Sequence, residues 1–145
     1  MVAARAGRLI LISSGAGLLG FPFGAPYTAS KAGLIGLGKA LHPEARTHGV
    51  TVNVACPPIL KTPLLTTGKA KPGVNRARFI ASLTRSPMSA EKAAKCVLNP
   101  RNPRKLLQIF PLQLRLAHTF SNLIPGFAHL IRKDIINKFN THGRE

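Results

Sequence analysis

The hydrophobic pattern of the chain changes character several times, and each change predicts an element. Leu9 to Ser13 reads "LILIS", a run of branched apolar residues without alternation. That is the pattern of a strand buried on both faces of a parallel sheet. Next comes "SGAGLLGFPFGAP", rich in glycine and proline, which predicts a loop. Ser30, Leu34, Leu37 and Leu41 then recur at i, i+4, i+7 and i+11. This spacing predicts a helix from about Tyr27 that packs that stripe on a sheet. Gly33, Gly36 and Gly38 are poor helix formers, so close backbone packing is the expected reason for them. Pro43 should kink or end the helix, and His48-Gly49 should stop it. "VTVNVAC", from Val50 to Cys56, predicts a second buried strand, ended by Pro57-Pro58. Strand, helix and strand form one βαβ unit, whose crossover is expected to be right-handed.

Beyond Thr62 the pattern weakens. "TTGKAKPGVNR" predicts a polar loop. Ser89 can cap a helix running through Leu98, with Glu91 in its first turn. "NPRNP" breaks that helix, and "KLLQIF" predicts a last strand. Two amphipathic stretches follow, separated by Pro125-Gly126. One is built on Leu112, Leu116, Phe120 and Leu123, the other on Phe127, Leu130, Ile131 and Ile135. The expected architecture is α/β, one domain over 1–145, with a strand-helix-strand core at 7–63 and a basic region at 64–145.

Composition limits the functional classes. A chain of 145 residues with 45% apolar content can bury one core. Cys56 and Cys96 are far apart, with neither metal-ligand spacing nor a disulfide framework, which fits a reducing, intracellular compartment. The first residues do not open a signal peptide. Leu9 to Ser30 carries no charge and is long enough to suggest a membrane span, but it holds four glycines and two prolines. A buried strand followed by a loop fits that mixture better. The net charge is +17. Fifteen of the 21 Lys and Arg lie in residues 63–145, and the first reading of this excess is a solvated basic surface. With Tyr27 and seven Phe as its aromatic residues, the chain lacks the interleaved rings of a single-strand binder, so no nucleic-acid partner is expected. The five histidines are scattered and read as surface residues, and no metal site is expected.

Two motifs carry candidate chemistry. Gly15-Ala16-Gly17-Leu18-Leu19-Gly20 formally matches G-x-G-x-x-G after a strand. "FPFGAP" follows where a helix should run, and no acid stands at a strand end some 20 residues on, so it is rejected as a dinucleotide fingerprint. The second motif is Tyr27 and Lys31, at i and i+4 on one helix face. A phenol ionises near pH 10, and a neighbouring ammonium favours its phenolate, which makes such a pair a workable acid/base. Ser14 lies thirteen residues before Tyr27, at the C-terminal end of a strand, where open α/β sheets bind ligands. Ser13 is its rival, and the spacing favours Ser14.

Ser14, the "YTASK" of Tyr27 to Lys31, and the following "VTVNVACPP" together resemble the short-chain dehydrogenase/reductase family. The resemblance is strong over residues 7–63 and loose beyond. It implies an incomplete Rossmann-like, doubly wound parallel sheet that lacks the N-terminal cofactor-binding half. It also implies an NAD(P)-dependent oxidoreductase acting on a small-molecule alcohol/carbonyl pair. In that role Tyr27 would be the acid/base, and Lys31 would support it and bind the nicotinamide ribose. Ser14 would orient the carbonyl. Pro57 and Thr62 match the family's P-G-x-x-x-T segment beside the nicotinamide, with Pro58 in place of its glycine. The family's glycine-rich loop, its residue choosing NAD or NADP, and its relay asparagine have no counterpart. The chain is therefore expected to be a fragment, inactive alone. The alternative is a non-catalytic interaction protein or a peripheral membrane protein derived from that fold. The resemblance leaves room for a homo-oligomer through the Tyr27 helix and for a membrane surface as partner, in a cytoplasmic or membrane-associated location.

Overall fold

The computed structural model describes residues 1–63, 73–84 and 86–144. Its elements are β1 (Gly7–Ile12), α1 (Gly15–Leu19), α2 (Ala25–Thr47), β2 (Val50–Cys56) and β3 (Leu60–Lys61). They continue with α3 (Arg76–Leu83), β4 (Met88–Ser89), α4 (Ala90–Leu98), β5 (Leu107–Ile109), α5 (Leu112–Leu123) and α6 (Phe127–His142). The main sheet has the order β1-β2-β5, all parallel, with Leu9 opposite Val52 and Val54 opposite Leu107. β3 and β4 form a separate parallel pair.

β2 is the middle strand and the centre of the core. Val52, Val54, Ala55 and Cys56 are fully buried, with Ile35, Leu11, Leu18, Leu106, Leu107 and Ile109 around Val54 and Cys56. Each valine buried this way contributes about 1.5–3 kcal/mol relative to an exposed one. The absence of alternation in "VTVNVAC" is thereby explained, because both faces of the strand are covered.

α2 starts two residues earlier than expected, with Pro26 in its first turn, where a missing N–H costs nothing. Pro43 does not end it. The helix continues to Thr47, and Gly49, at φ +71°, turns the chain where a side chain would strike the Arg5 carbonyl. The face against the sheet differs from the expected stripe. Ile35 and Gly38 are buried, whereas Ser30 and Leu37 are exposed. Gly38 is needed because a Cβ there would collide with a methyl of Val54. Gly33 and Gly36 face open space, so close packing does not explain them.

Four further elements were not expected. α1 occupies the predicted loop, because Ser14 caps its N-terminus and Gly20, at φ +76°, ends it. α3 begins at the end of the predicted "TTGKAKPGVNR" loop, most of which lies outside the described residues. Asn75 caps α3 by accepting from the Arg78 amide, and Phe79 is buried against the rings of Phe21 and Phe139. The short β3–β4 pair escaped the pattern because two residues carry no period. The Ser89-capped helix, the last strand and both amphipathic helices lie where their patterns place them. Among the described residues, no helix is long and apolar enough to cross a membrane.

Asn53 is more than a strand residue. Its fully buried side chain accepts from Arg8 Nε at 2.6 Å and donates to the Pro103 and Lys105 carbonyls at 2.8 and 3.0 Å. The same guanidinium donates to the Leu98 and Val97 carbonyls at 2.9 and 3.0 Å, closing the C-terminus of α4.

Candidate functional site

The candidate residues gather where β1 and β2 end. Ile12 and Ala55 are paired there, so the chain leaving β1 runs beside the chain leaving β2. The Ser13 amide continues the ladder to the Ala55 carbonyl at 2.8 Å, and the Gly15 amide donates to the Pro57 carbonyl at 2.9 Å. Pro57 is thus tied to the start of α1.

The adjacent serines divide the work. Ser13 is buried, and its hydroxyl donates to the Lys31 carbonyl at 2.7 Å. Ser14 turns its oxygen to the Ala16 amide at 3.2 Å, as the cap of α1. α1 then crosses α2 with almost no clearance. A Cβ on Gly17 would stand 2.7 Å from the Lys31 carbonyl carbon and 2.9 Å from its oxygen. The G-x-G-x-x-G stretch therefore does contain a helix, contrary to the loop expectation. Gly17 is consumed in packing on α2, and Gly20 ends the turn.

Lys31 is held at both ends. Its carbonyl takes the Ser13 hydroxyl, and its ammonium donates to the Ile12 carbonyl at 3.0 Å. The same ammonium lies 5.7 Å from the centre of the Tyr27 ring, within cation–π range. Tyr27 is 47% exposed at the start of α2. The segment leading into Tyr27 is braced. The Phe21 amide donates to the Thr28 hydroxyl at 3.1 Å, and Phe23 stacks on Phe139 at 3.9 Å between centroids. Phe23 has φ +63°, a costly conformation for an aromatic residue.

The structure thus brings Lys31 together with Tyr27, and Ser14 with the neighbouring strand ends and Pro57. Thr62 lies farther along, half-buried just after β3, and no hydrogen bond among the described residues joins it to Tyr27 or Lys31. Sequence reasoning missed Ser13, which looked like a weaker copy of Ser14. It also missed Gly17, whose meaning depends on what crosses it.

Among the described residues three titrating groups depart from their usual range, and one of them, Glu91 in the first turn of α4, has its pKa lowered by its own backbone amide and by the Ser89 hydroxyl. Burial pushes the Cys56 thiol up to about 11, against a lesser opposing hydrogen bond with Ser13. Burial, and secondarily the charge of Lys39, lower the pKa of His118. His118 is not a surface residue. Its Nδ1 is buried without a hydrogen-bond partner among the described residues, and its Nε2 lies 3.3 Å from Asn122 Nδ2. His42 is also engaged, with Nδ1 3.0 Å from the Val52 carbonyl.

A parallel α/β sheet with a Tyr-Lys pair beside its strand ends defines a class, and comparison with known proteins agrees. Residues 1–72 match the family model described as short chain dehydrogenase. The 3-oxoacyl-acyl-carrier-protein reductase FabG of Rickettsia prowazekii (strain Madrid E) is 50% identical over 62 residues, 43% of this chain and 26% of the relative. The 3-oxoacyl-acyl-carrier-protein reductase of Synechocystis is 40% identical over 72 residues, 50% of this chain and 29% of the relative. The match therefore spans little more than a quarter of these relatives. In fold, the chain is similar to a solved 7beta-hydroxysteroid dehydrogenase, with TM-score 0.68, 20% identity and coverage of 91% of this chain and 49% of that one. It is also similar to a short-chain dehydrogenase from Sphingobium yanoikuyae solved with NADPH, with TM-score 0.63, 21% identity and coverage of 90% and 46%. The chain belongs, through residues 1–72, to the short-chain dehydrogenase/reductase family, and its sheet is a partial Rossmann-like sheet.

Proposed function

We propose that the chain carries the catalytic half of an NAD(P)-dependent oxidoreductase acting on an alcohol/carbonyl pair. The observation behind this reading is the Lys31 ammonium, fixed on the Ile12 carbonyl and 5.7 Å from the exposed Tyr27 ring. The nicotinamide, when bound, supplies or accepts the hydride at its C4. In the reducing direction Tyr27 gives its hydroxyl proton to the oxygen of the carbonyl. In the oxidising direction it takes that proton from the alcohol. Lys31 holds positive charge near the Tyr27 ring in both directions, and Ser14 steadies the substrate oxygen by hydrogen bonding. Exchanging its hold on the Ala16 amide for the substrate requires only a rotation of a half-buried hydroxyl.

The residues fit one end of the cofactor. Lys31, Pro57 and Thr62 suit the nicotinamide and its ribose. The pyrophosphate end has no cradle in the Gly15–Gly20 segment, because Gly17 is pressed on the Lys31 backbone. A cradle of glycine-loop amides at a helix N-terminus must come from elsewhere for tight binding. We accordingly propose that these 145 residues alone bind cofactor weakly and turn over little. The exposed face of α2 around Gly33, Gly36 and Leu37 is smooth enough for self-association, which supports a homo-oligomer through that helix.

The test joins the N-terminal cofactor half of a 3-oxoacyl reductase ahead of residue 1 and follows NADPH oxidation with a ketone panel. Turnover that falls at least ~100-fold in Tyr27→Phe is expected. A folded, cofactor-binding chimera without turnover would sink the catalytic reading. Tyr27-dependent turnover by the 145-residue chain alone would leave the catalytic reading standing and refute the incompleteness.

A further inference from the structure

The hairpin of α5 and α6 turns large apolar side chains outward. α5 packs inward through Leu114, whose methyls lie 3.0 Å from where a Cβ on Gly15 would stand. Its Leu112, Leu116, Phe120 and Leu123 are exposed instead, and Leu123 reaches 70%. Their spacing puts all four on one helix face, a stripe about 16 Å long. Ile124 and Leu130, the latter 62% exposed, extend the apolar surface around the turn at Pro125-Gly126. The longest apolar stripe of the C-terminal region therefore faces solvent, where a monomeric protein rarely leaves one.

The rim identifies the occupant. Arg115 borders the stripe on α5, and His129 and Lys133 are exposed on α6. The acid of the two helices, Asp134, is engaged by Lys138 at 2.6 Å. A second copy of a chain with net charge +17 would bring Arg115 and Lys133 against their own kind. An anionic surface meets the same groups with opposite charge while its interior accepts the leucines.

We propose that the α5–α6 hairpin docks on the surface of an anionic lipid bilayer. Leu112, Leu116, Phe120, Leu123 and Leu130 enter the headgroup-acyl boundary, and Arg115 and Lys133 meet the lipid phosphates and carboxylates. The hairpin uses none of Ser14, Tyr27 and Lys31, so this docking stands apart from the oxidoreductase reading.

Vesicle flotation of the full chain tests it, with phosphatidylcholine alone and with added phosphatidylserine. The expected result is flotation with the anionic vesicles, weakening as sodium chloride is raised. The double variant Leu123→Ser, Leu130→Ser should bind at least ~10-fold more weakly, because two side chains no longer leave water. Its thermal unfolding should not change, since both residues are exposed already. The variant Leu123→Trp should shift its fluorescence to the blue on anionic vesicles. Equal, negligible flotation with both vesicles overturns the proposal. So does binding that the double variant retains, or a blue shift that tracks protein concentration without lipid.

Discussion

The hydroxyl of Ser13 donates to the backbone carbonyl of Lys31 at 2.7 Å, while the Lys31 ammonium reaches back to the Ile12 carbonyl at 3.0 Å. The end of β1 thus grips one residue of α2 twice, once by its backbone and once by its charge. Both holds lie within the first two turns of α2, one turn after Tyr27.

Ser13→Ala removes the backbone grip. The Lys31 carbonyl is left without that donor, so a stability loss of about 1–3 kcal/mol is expected by urea unfolding. Ser14→Ala removes the cap of the five-residue α1, at about 0.5–2 kcal/mol. The two differ in the active chimera. Ser14→Ala should lower turnover far beyond its effect on stability, whereas Ser13→Ala should lose activity only in step with folding. The reverse pattern would exchange the roles given to the two serines.

Gly38→Ala tests the packing of α2 on the sheet. Helix propensity alone favours the alanine by about 1 kcal/mol. The added methyl meets Val54 at the centre of the core, and overpacking of that kind costs about 1–3 kcal/mol. Net destabilisation is therefore expected at Gly38. At Gly36, which faces open space, the same change should stabilise. Thermal melts of the two variants should move in opposite directions.

The same helix shows what could be read in advance. β1 and β2 were legible because unbroken branched apolar runs are local signals. The Ser89 cap and the start of α4 were legible for the same reason. The buried face of α2 was not. A search for large apolar residues selects Leu37 and passes over Gly38, although Gly38 is buried directly against Val54. α1 was hidden because its glycines answer to a neighbour: Gly17 is required by Lys31, fourteen residues later in the chain. The Tyr27-Lys31 pair and Ser14 were visible through spacing. Their support, from Ser13 to Ile12 and Pro57, depended on two strand ends meeting.

His118 should make stability depend on pH. Its folded-state pKa is lowered, chiefly by burial, so the folded protein resists the proton that the unfolded chain accepts. The contribution is complete above the ordinary histidine range and is lost as pH falls through about 6.5 and below. His118→Gln keeps a polar side chain beside Asn122 and removes the titration. Urea midpoints for the parent chain should decline on acidification in this window, and the variant should show a shallower decline. Equal slopes would mean that His118 titrates as it does in the unfolded chain.

The two thiols should differ in reactivity. Cys56 is fully buried in the core with its thiol pushed up to about 11, whereas Cys96 on α4 is half-buried. The thiolate is the reactive species, so near pH 8 a disulfide reagent should label Cys96 first. Cys56 should react only at the rate of opening of the fold, and a denaturant should equalise the two. Rapid labelling of Cys56 in native buffer would contradict the buried position of β2.

Arg8 and Asn53 together hold the far end of the sheet. Asn53 sits in the middle of β2, with its amide shared between the Arg8 guanidinium and the carbonyls of Pro103 and Lys105. The remaining donors of Arg8 close the C-terminus of α4 at Val97 and Leu98, a favourable place for a cation at the negative end of a helix. Three segments that are distant in sequence therefore meet on one buried polar group. Arg8→Met keeps the apolar stem but strands the Asn53 oxygen, and about 1–3 kcal/mol should be lost. Asn53→Ala strands the Pro103 carbonyl and one face of the guanidinium, with a loss of similar size, while the Lys105 carbonyl keeps the Gln108 side-chain amide at 2.6 Å. The double variant removes the donor and the acceptor together, so its loss should fall short of the sum by about 0.5–3 kcal/mol. Amide exchange should quicken near Lys105 in Asn53→Ala, and at the end of α4 in Arg8→Met. Strict additivity, with exchange unchanged in both segments, would show that the network is present in the geometry but carries no coupling.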